Sequence, residues 1–534
     1  MAITANDNYI HACRSIIKRI FHNVSIFTFS FPQYLYAMQK WVHTLLLLFF
    51  LHPCVTDAAD YTYDYNDNCS RAYQAYMSLH LQDGRAMMIN EMKANPYNLM
   101  ATYISDYEDY IVLLLNCDPL DYEQRAGHME NRLELLEKGD QASPWFRLCK
   151  AGIYLHWAIV ELRFGEQYKA AASFHRSFAL VKENQRLFPD FEYNKVFTGL
   201  QEAVVGSLPG SYKWLASIFG MKGDMKKGTE KLAGFINTHT EKQPLYLETI
   251  LYHTYLRFYL LMEQQEVWNF LNSPQFPTHN NLLNTFAKVN IALDYRKSDA
   301  AIETLQAAAL DANYIKYPVF DYQMGVALLT RLDTNCISYF RGYLINNKSG
   351  NFIKDTWQKM AFTNYINDNT VQAAWCIEQL KKQGNTRSDA DKQAQRFAEN
   401  NVWPHSKILQ ARFLIEGGYY DRALTMLQSM SPSQLKKPTD KLEYFFRLGK
   451  AYQELGNNNK ALENYQVAIN TGKERHEQFA ARAALQMGII YEHSGNKARA
   501  ISSYKECLNM PSHDFQNSID QQAKAGINRL GSAD

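Results

Sequence analysis

The chain has 534 residues, 46% of them hydrophobic, with 25 glycines and 15 prolines. That is enough apolar material for several domains or one long array, and too little Gly and Pro for a low-complexity or fibrous chain, so wholesale disorder is excluded. Its 56 basic and 54 acidic residues nearly cancel, which leaves no electrostatic footprint for nucleic acid.

Met38 opens the stretch MQKWVHTLLLLFFLHPCVTDAAD. Lys40 gives a positive start, Leu45 to Leu51 an apolar run, and Thr56-Asp57-Ala58 a small-residue exit. This is the layout of a secretory signal peptide, with cleavage expected after Ala58; the run is too short to span a bilayer. The 37 residues ahead of it would be an odd addition to such a signal, so Met38 reads as the true start. An uncleaved leader, extended by IFTFSFPQYLY, would instead tie the chain to a membrane, but Pro32 and the polar Gln39-Lys40 interrupt that segment. Cys54 invites lipidation, yet Leu51-His52-Pro53 lacks the small residue a lipobox places before its cysteine. Removing residues 1 to 58 takes away four basic and two acidic residues, so the remainder is neutral. Six cysteines follow, at 69, 117, 149, 336, 376 and 507. None forms CxxC or a zinc-spaced Cys/His set. Their wide spacing predicts lone buried thiols, with a Cys69–Cys117 or Cys117–Cys149 bridge as the alternative.

Tyr61, Tyr63 and Tyr65 alternate in YTYDYNDN without a helical period. They predict an arm draped over the first helices or, alternatively, an exposed stacking surface for a ligand. NCSRAYQAYMSLHLQDGRAMMINEM and NLMATYISDYEDYIVLLLN have helical spacing, broken at Asn95-Pro96 and Asp118-Pro119. Asp106, Glu108 and Asp109 are expected on a solvated helix face. In residues 206 to 232, Pro209 starts a helix with Trp214, Ile218 and Phe219 on its apolar face. Gly220 and Gly223 break it, and Asp224 caps the next. Gly220-x-x-Gly223 lacks the Gly-Lys-Ser/Thr ending and preceding strand of a phosphate loop. His253, among apolar residues, reads as a core histidine, and His493 as solvated or partner-facing. No strand-rich region is expected.

Toward the C-terminus one ruler repeats. From Gly449, residues 7, 12 and 16 further on are Gly456, Ala461 and Tyr465. From Gly488 they are Gly495, Ala500 and Tyr504; from Ala411, Gly418, Ala423 and Leu427; from Ala158, Gly165, Ala170 and Phe174. The first small residue admits a second helix closely. The glycine ends the first helix in a left-handed cap. The alanine marks the crossing, and the aromatic one turn later fills the gap. Such a hairpin cannot bury its apolar face alone and must stack on neighbours. Weaker echoes start at Gly325 (to Ile337) and Ala361 (to Ala373), with Leu332 and Asp368 where glycine would stand. Phe515, Ile519, Ala523, Ile527 and Leu530 share one face of a terminal capping helix.

These spacings resemble the tetratricopeptide repeat, most clearly in RLGKAYQELGNNNKALENYQVAI and LQMGIIYEHSGNKARAISSYKECL. The units step by 38 and 39 residues where that family steps by 34, so the surplus is expected between hairpins, in MSPSQLKKPTD and NTGKERHEQ. The fold class implied is all-α, a helix-turn-helix solenoid or superhelix. The expected division is a leader (1–58), an N-terminal helical region (59–140), a repeat-like pair with the Gly-rich segment (141–240), divergent helical repeats (241–400), clear repeats (401–510) and a capping helix (511–534). The Gly-x-Leu-Pro start, apolar helix and Phe-Gly-x-x-Gly-Asp turn of residues 206 to 224 resemble the hallmark of the tetratricopeptide-repeat protein 39 and inclusion-body-clearance family. Its eukaryotic members are intracellular, whereas an exported chain of this type looks bacterial. That implies the periplasm, with outer-membrane association as the alternative.

Carrying the repeat family's groove positions onto this sequence implies a partner groove of His405, Ile408, Arg412, Ile415, Phe446, Lys450, Gln453, Arg482, Leu485, Ile489 and Glu492. Mixed charged and apolar groups there suit a protein or peptide segment. There is no HExxH, GxSxG or nucleotide fingerprint, so no catalytic, cofactor or metal site is assigned. The function expected is a non-enzymatic, exported scaffold that binds other proteins. The alternative is a glycan-binding accessory protein like the starch-utilisation outer-membrane binders. An enzyme would need a convergent polar pocket in the middle third.

Overall fold

The computed structural model describes residues 60–207 and 220–531. The leader with Met38, Cys54 and Ala58, and the expected Pro209–Phe219 helix, lie outside the described residues. Within them every regular element is helical except the single bridge Thr62–Asn98. The chain is an all-α solenoid of helical hairpins.

The ruler works as steric logic requires. A Cβ on Gly449 would sit 2.6 Å from the Tyr465 ring, and one on Gly488 2.4 Å from the Tyr504 ring. Only a bare Cα lets helix Asn458–Gly472 press its tyrosine against Pro438–Glu454, and Lys497–Leu508 against Phe479–His493. Both tyrosines are fully buried, and their hydroxyls are satisfied by the first helix: Tyr465 donates to Gln453 Oε1 (2.6 Å) and Tyr504 to Glu492 Oε2 (2.5 Å).

At the turn, Gly165, Gly418, Gly456 and Gly495 have φ between 75° and 89°. The next residue's N–H then reaches back five positions: Glu166 to Glu161, Tyr419 to Leu414, Asn457 to Tyr452 and Asn496 to Tyr491, each at 2.8 Å. This satisfies a carbonyl the helix end would otherwise orphan. Leu79, Arg296, Leu332 and Asp368 do the same without glycine, with φ of 59° to 64° and back-bonds of 2.7 to 2.9 Å. Met262, φ 61°, occupies the equivalent turn between Tyr246–Tyr259 and Gln264–Leu271. The hairpins of Ala72, Tyr255 and Val289 therefore obey the same ruler unseen: Val267 and Leu271, then Ala301 and Leu305, are buried at the crossing positions. The Ala361 echo is a true hairpin with Ala373 and Ile377 buried. The Gly325 echo is one residue shorter than expected: Phe340, not the residue after Ile337's turn, packs on Gly325, and Cys336 takes the crossing position.

First helices stack on first helices along the array, so one core runs unbroken from Cys69 to Phe413 and two further clusters serve the last repeats. The surplus residues fall between hairpins, in the segment holding the short turn Pro432–Gln434 and in the connection before Phe479. Gly220 has a left-handed backbone (φ 66°), and a Cβ on Gly223 would lie 2.0 Å from the Gly206 nitrogen; the helix they are expected to end lies outside the described residues. Asp224 caps Met225–Thr238 through Lys226 and Lys227 N–H. Ile519 and Ala523 bury the face of the terminal helix Gln516–Gly531. Tyr61, Tyr63 and Tyr65 lie half-buried on the core, pinned by Thr62 N–H to Tyr97 O (3.0 Å) and Leu99 N–H to Thr62 O (2.8 Å). They form the draped arm, not an exposed stacking surface. The six described cysteines are free and buried. No described helix is long and apolar enough to cross a membrane.

Two substitutions isolate the turn. Nothing lies within 4 Å of a Cβ on Gly456, whose φ is 77°. Gly456→Ala therefore meets backbone strain alone and should destabilise the last repeats by about 1–2 kcal/mol, whereas Met262→Gly, on an exposed side chain, should stabilise its hairpin by up to about 1 kcal/mol. Native-state hydrogen exchange across each hairpin reads both, since long arrays need not unfold in one step.

Candidate functional site

The eleven expected groove residues share the inner side of the last three repeats, but not as an open groove. Ile408, Ile415, Phe446 and Leu485 are buried in the core, and Lys450 and Arg482 are nearly so. His405, Arg412, Gln453, Ile489 and Glu492 are half-buried. Four of the five apolar members are corrected: the hairpins bury Ile408, Ile415, Phe446 and Leu485 as mutual filling, which leaves half-buried Ile489 and the polar positions as the face a partner can reach. The polar members are engaged within the chain. Arg412 pairs with Glu416 (2.9 Å), Lys450 with Glu454 (2.6 Å), and Glu492 takes both Arg529 nitrogens (2.9 Å each) besides Tyr504. Arg482 donates to Gln478 (2.6 Å) and Gln453 accepts from Tyr465, whereas His405 is held by its backbone N–H to Asp440 (3.3 Å) and its ring Nδ1 has no hydrogen-bond partner within the chain. Arg296 reaches across from the middle of the chain to Glu454 (2.7 Å).

Like charges crowd this face. Burial first, then Arg447 and Arg482, lower the Arg412 pKa to about 10. Burial and Arg296 bring Lys450 down to about 8. Against its own burial, Lys450 and Arg296 hold Glu454 down to about 2.

The larger concavity lies elsewhere, in the first two thirds of the solenoid. It is a cavity of about 1,140 Å³ walled by helices Asp106–Asn116, Pro144–Arg163, Tyr246–Tyr259, Leu282–Asp294 and Val319–Thr330, reaching Phe413 and Glu416. Leu155, Leu251, Phe286 and Val326 typify its wall, which is mainly apolar rather than the convergent polar pocket an enzyme in this region was expected to need. Sequence reading missed it. The available signal was that Val319–Thr330 carries apolar residues nearly all round, more than one buried face requires.

Behind the wall is a buried ionic network, and it corrects the reading of DYEDY. Asp106, Glu108 and Asp109 are not solvated; all three are buried. They occupy the first turn of their helix, where negative charge is favoured, and arginines from neighbouring helices neutralise them. Arg132 bonds Asp106 (3.0 Å) and Asp109 (2.6 Å), Arg125 pairs with Asp109, and Arg85 with Glu108. His156, fully buried, joins Asp106 Oδ2 (2.9 Å) to Glu248 Oε2 (3.3 Å) and stacks on Tyr110 at 4.3 Å. Burial alone would lower its pKa, but the bonds to both carboxylates lift it to about 9. The imidazolium is a rivet between Asp106–Asn116 and Tyr246–Tyr259, too deep to touch a substrate. His253, by contrast, is half-buried, and burial lowers its pKa to about 4, so it is neutral. His493 is exposed at a helix end. Among the described residues no cluster of three or more His, Cys, Asp or Glu could hold a metal.

Residues 442–470 and 481–514 match the family model of the tetratricopeptide repeat, so the C-terminal part of the chain carries tetratricopeptide repeats. No curated protein matches the sequence. Among solved structures, the chain is similar to the apo form of the quorum sensor NprR from B. thuringiensis, at 11% identity over 76% of this chain and 97% of that one, TM-score 0.27. It is also similar to the APC/C hetero-tetramer Cut9–Hcn1 (11%, 86% and 95%, TM-score 0.22) and to yeast Tom70 (10%, 87% and 95%, TM-score 0.23). At those scores the likeness says nothing of what this chain binds.

The His156 rivet has a definite pH signature. Its folded pKa, about 9, lies above the ordinary 6.5, so its contribution is complete below pH 6.5 and is lost as pH rises through 9. Wild type minus His156→Gln stability should fall by on the order of 3 kcal/mol between pH 6 and 9.5, measured by urea unfolding across that range.

Proposed function

We propose that the chain is a non-enzymatic scaffold that binds a protein or peptide segment along the inner side of its C-terminal repeats. The observation that carries this is the basic row those repeats assemble. Three successive first helices set Arg412, Arg447 and Arg482 side by side, where Arg447 and Arg482 add to burial in lowering the Arg412 pKa although Arg412 is paired with Glu416 (2.9 Å) and Arg447 with Glu443 (2.8 Å). Like charges held together cost free energy that an acidic segment relieves. The half-buried His405, Arg412, Gln453, Ile489 and Glu492 are the positions a partner reaches first. Arg412→Gln with Arg482→Gln removes both charges while keeping a polar, N–H-donating side chain at each position. Crosslinked capture from a native extract should enrich a defined protein with the wild-type chain and lose it about tenfold with the pair; equal recovery on both, with folding intact by circular dichroism, rejects the row as the binding face.

We propose further that the chain is exported and works in the periplasm, on the strength of Lys40, the Leu45–Leu51 run and the small residues up to Ala58. N-terminal sequencing of the protein from its native cells should start at Ala59; a chain retained in the cytosol with its leader intact rejects this.

A further inference from the structure

We propose that the apolar cavity of the solenoid is a binding site for a neutral amphiphile, a molecule with an apolar body and at least two N–H or O–H donors. At about 1,140 Å³ it lies at the upper edge of the ~300–1,000 Å³ usual for small-molecule sites. The walls give the first half of the ligand's character: side chains such as Leu155, Leu251, Phe286 and Val326 reward apolar surface and nothing else.

The second half comes from hydrogen-bond accounting. Three acceptors on the wall, Glu248 Oε1, Gln323 Oε1 and Asn351 Oδ1, have no donor within the chain, and their residues are no more than 7% exposed. Buried polar atoms are rarely left so. Each of these residues is fixed by its other atoms. Glu248 Oε2 takes His156 and Tyr252. Gln323 Nε2 donates to Asn290 Oδ1 (2.8 Å). The Asn351 backbone carbonyl takes Tyr343 OH (2.8 Å) and Asn347 Nδ2 (3.0 Å). The wall donors Lys359, Tyr259 and Arg163, in contrast, have partners, and Lys348 is exposed at the rim: Lys359 is paired with Asp355, Tyr259 OH donates to Asp294 (2.5 Å), and Arg163 Nε donates to Cys117 Sγ (3.0 Å). The wall therefore offers acceptors and asks the ligand for donors, which favours an amide or alcohol over a carboxylate.

The full chain is titrated with N-phenyl-1-naphthylamine, a neutral fluorophore with one N–H, and the bound probe is displaced by decanamide, methyl decanoate or decanoate at pH 7.5. Saturable 1:1 binding is expected, with decanamide displacing about tenfold more tightly than the donor-free ester or the carboxylate. Gln323→Leu should weaken decanamide about fivefold and leave the ester unchanged. Ile159→Trp and Ala171→Trp fill the cavity from two helices, and either one that keeps wild-type helicity should weaken the probe about tenfold. Absence of saturable binding, undiminished binding in a folded tryptophan variant, or displacement by the ester as tight as by decanamide would each overturn the proposal.

Discussion

The left-handed residue seven positions after each small residue is the constraint on which the array depends. It ends the first helix, returns the next N–H to a carbonyl five residues back (six at Met262), and turns the chain so that the second helix packs on the first. From Leu282–Asp294 to Phe479–His493, first helices then lie against first helices. Four of the turns use glycine and five do not. A leucine, methionine, arginine or aspartate in that conformation carries strain of about 1–2 kcal/mol, offset by the buried pair of residues that its hairpin brings together, such as Ala301 with Leu305. Backbone geometry is thus held constant while the side chain at the turn is not.

Stacking also explains where the inner side is solid and where it is hollow. In the last three repeats, the inward positions carry Ile408, Ile415, Phe446 and Leu485, large enough to fill the space between adjacent first helices. Arg296 closes that region from the middle of the chain by reaching Glu454. In the earlier hairpins the inward residues of Tyr246–Tyr259 and Val319–Thr330, among others, line a space instead of filling it. The interior of one continuous architecture is therefore a charged, filled seam at one end and an apolar chamber at the other.

Charge is treated differently in the two regions. Around Asp106 the four carboxylates Asp106, Glu108, Asp109 and Glu248 are matched by Arg85, Arg125, Arg132 and His156, which reach them from separate helices, and the pKa of His156 rises because protonation completes the network. Along the C-terminal seam cations predominate, and burial, with those neighbours added, makes Arg412 and Lys450 lose protons more easily than usual while Glu454 holds its charge strongly. The first arrangement is internally satisfied and serves cohesion. The second keeps an unbalanced excess of one sign, which is what a partner of opposite charge can use.

The residue ladder alone determined the helical hairpin and the all-α solenoid, because glycine at a left-handed turn and glycine or alanine at a helix crossing are local requirements written in fixed offsets. It determined the Asp224 cap for the same reason. Where Leu79, Met262 and Arg296 replaced glycine, that local signal vanished and only the fold revealed that the turn persisted. The burial of Asp106, Glu108 and Asp109, the filling of the expected groove by Ile408 and Phe446, and the existence of the chamber were decided by tertiary structure. Each depends on which residues distant in the chain arrive opposite a given helix face: Arg132 against Asp106, Glu248 against His156, Arg296 against Glu454. A helix's sequence states that it has an apolar or charged side, and only the superhelical radius settles whether that side meets a neighbour, a cavity or water.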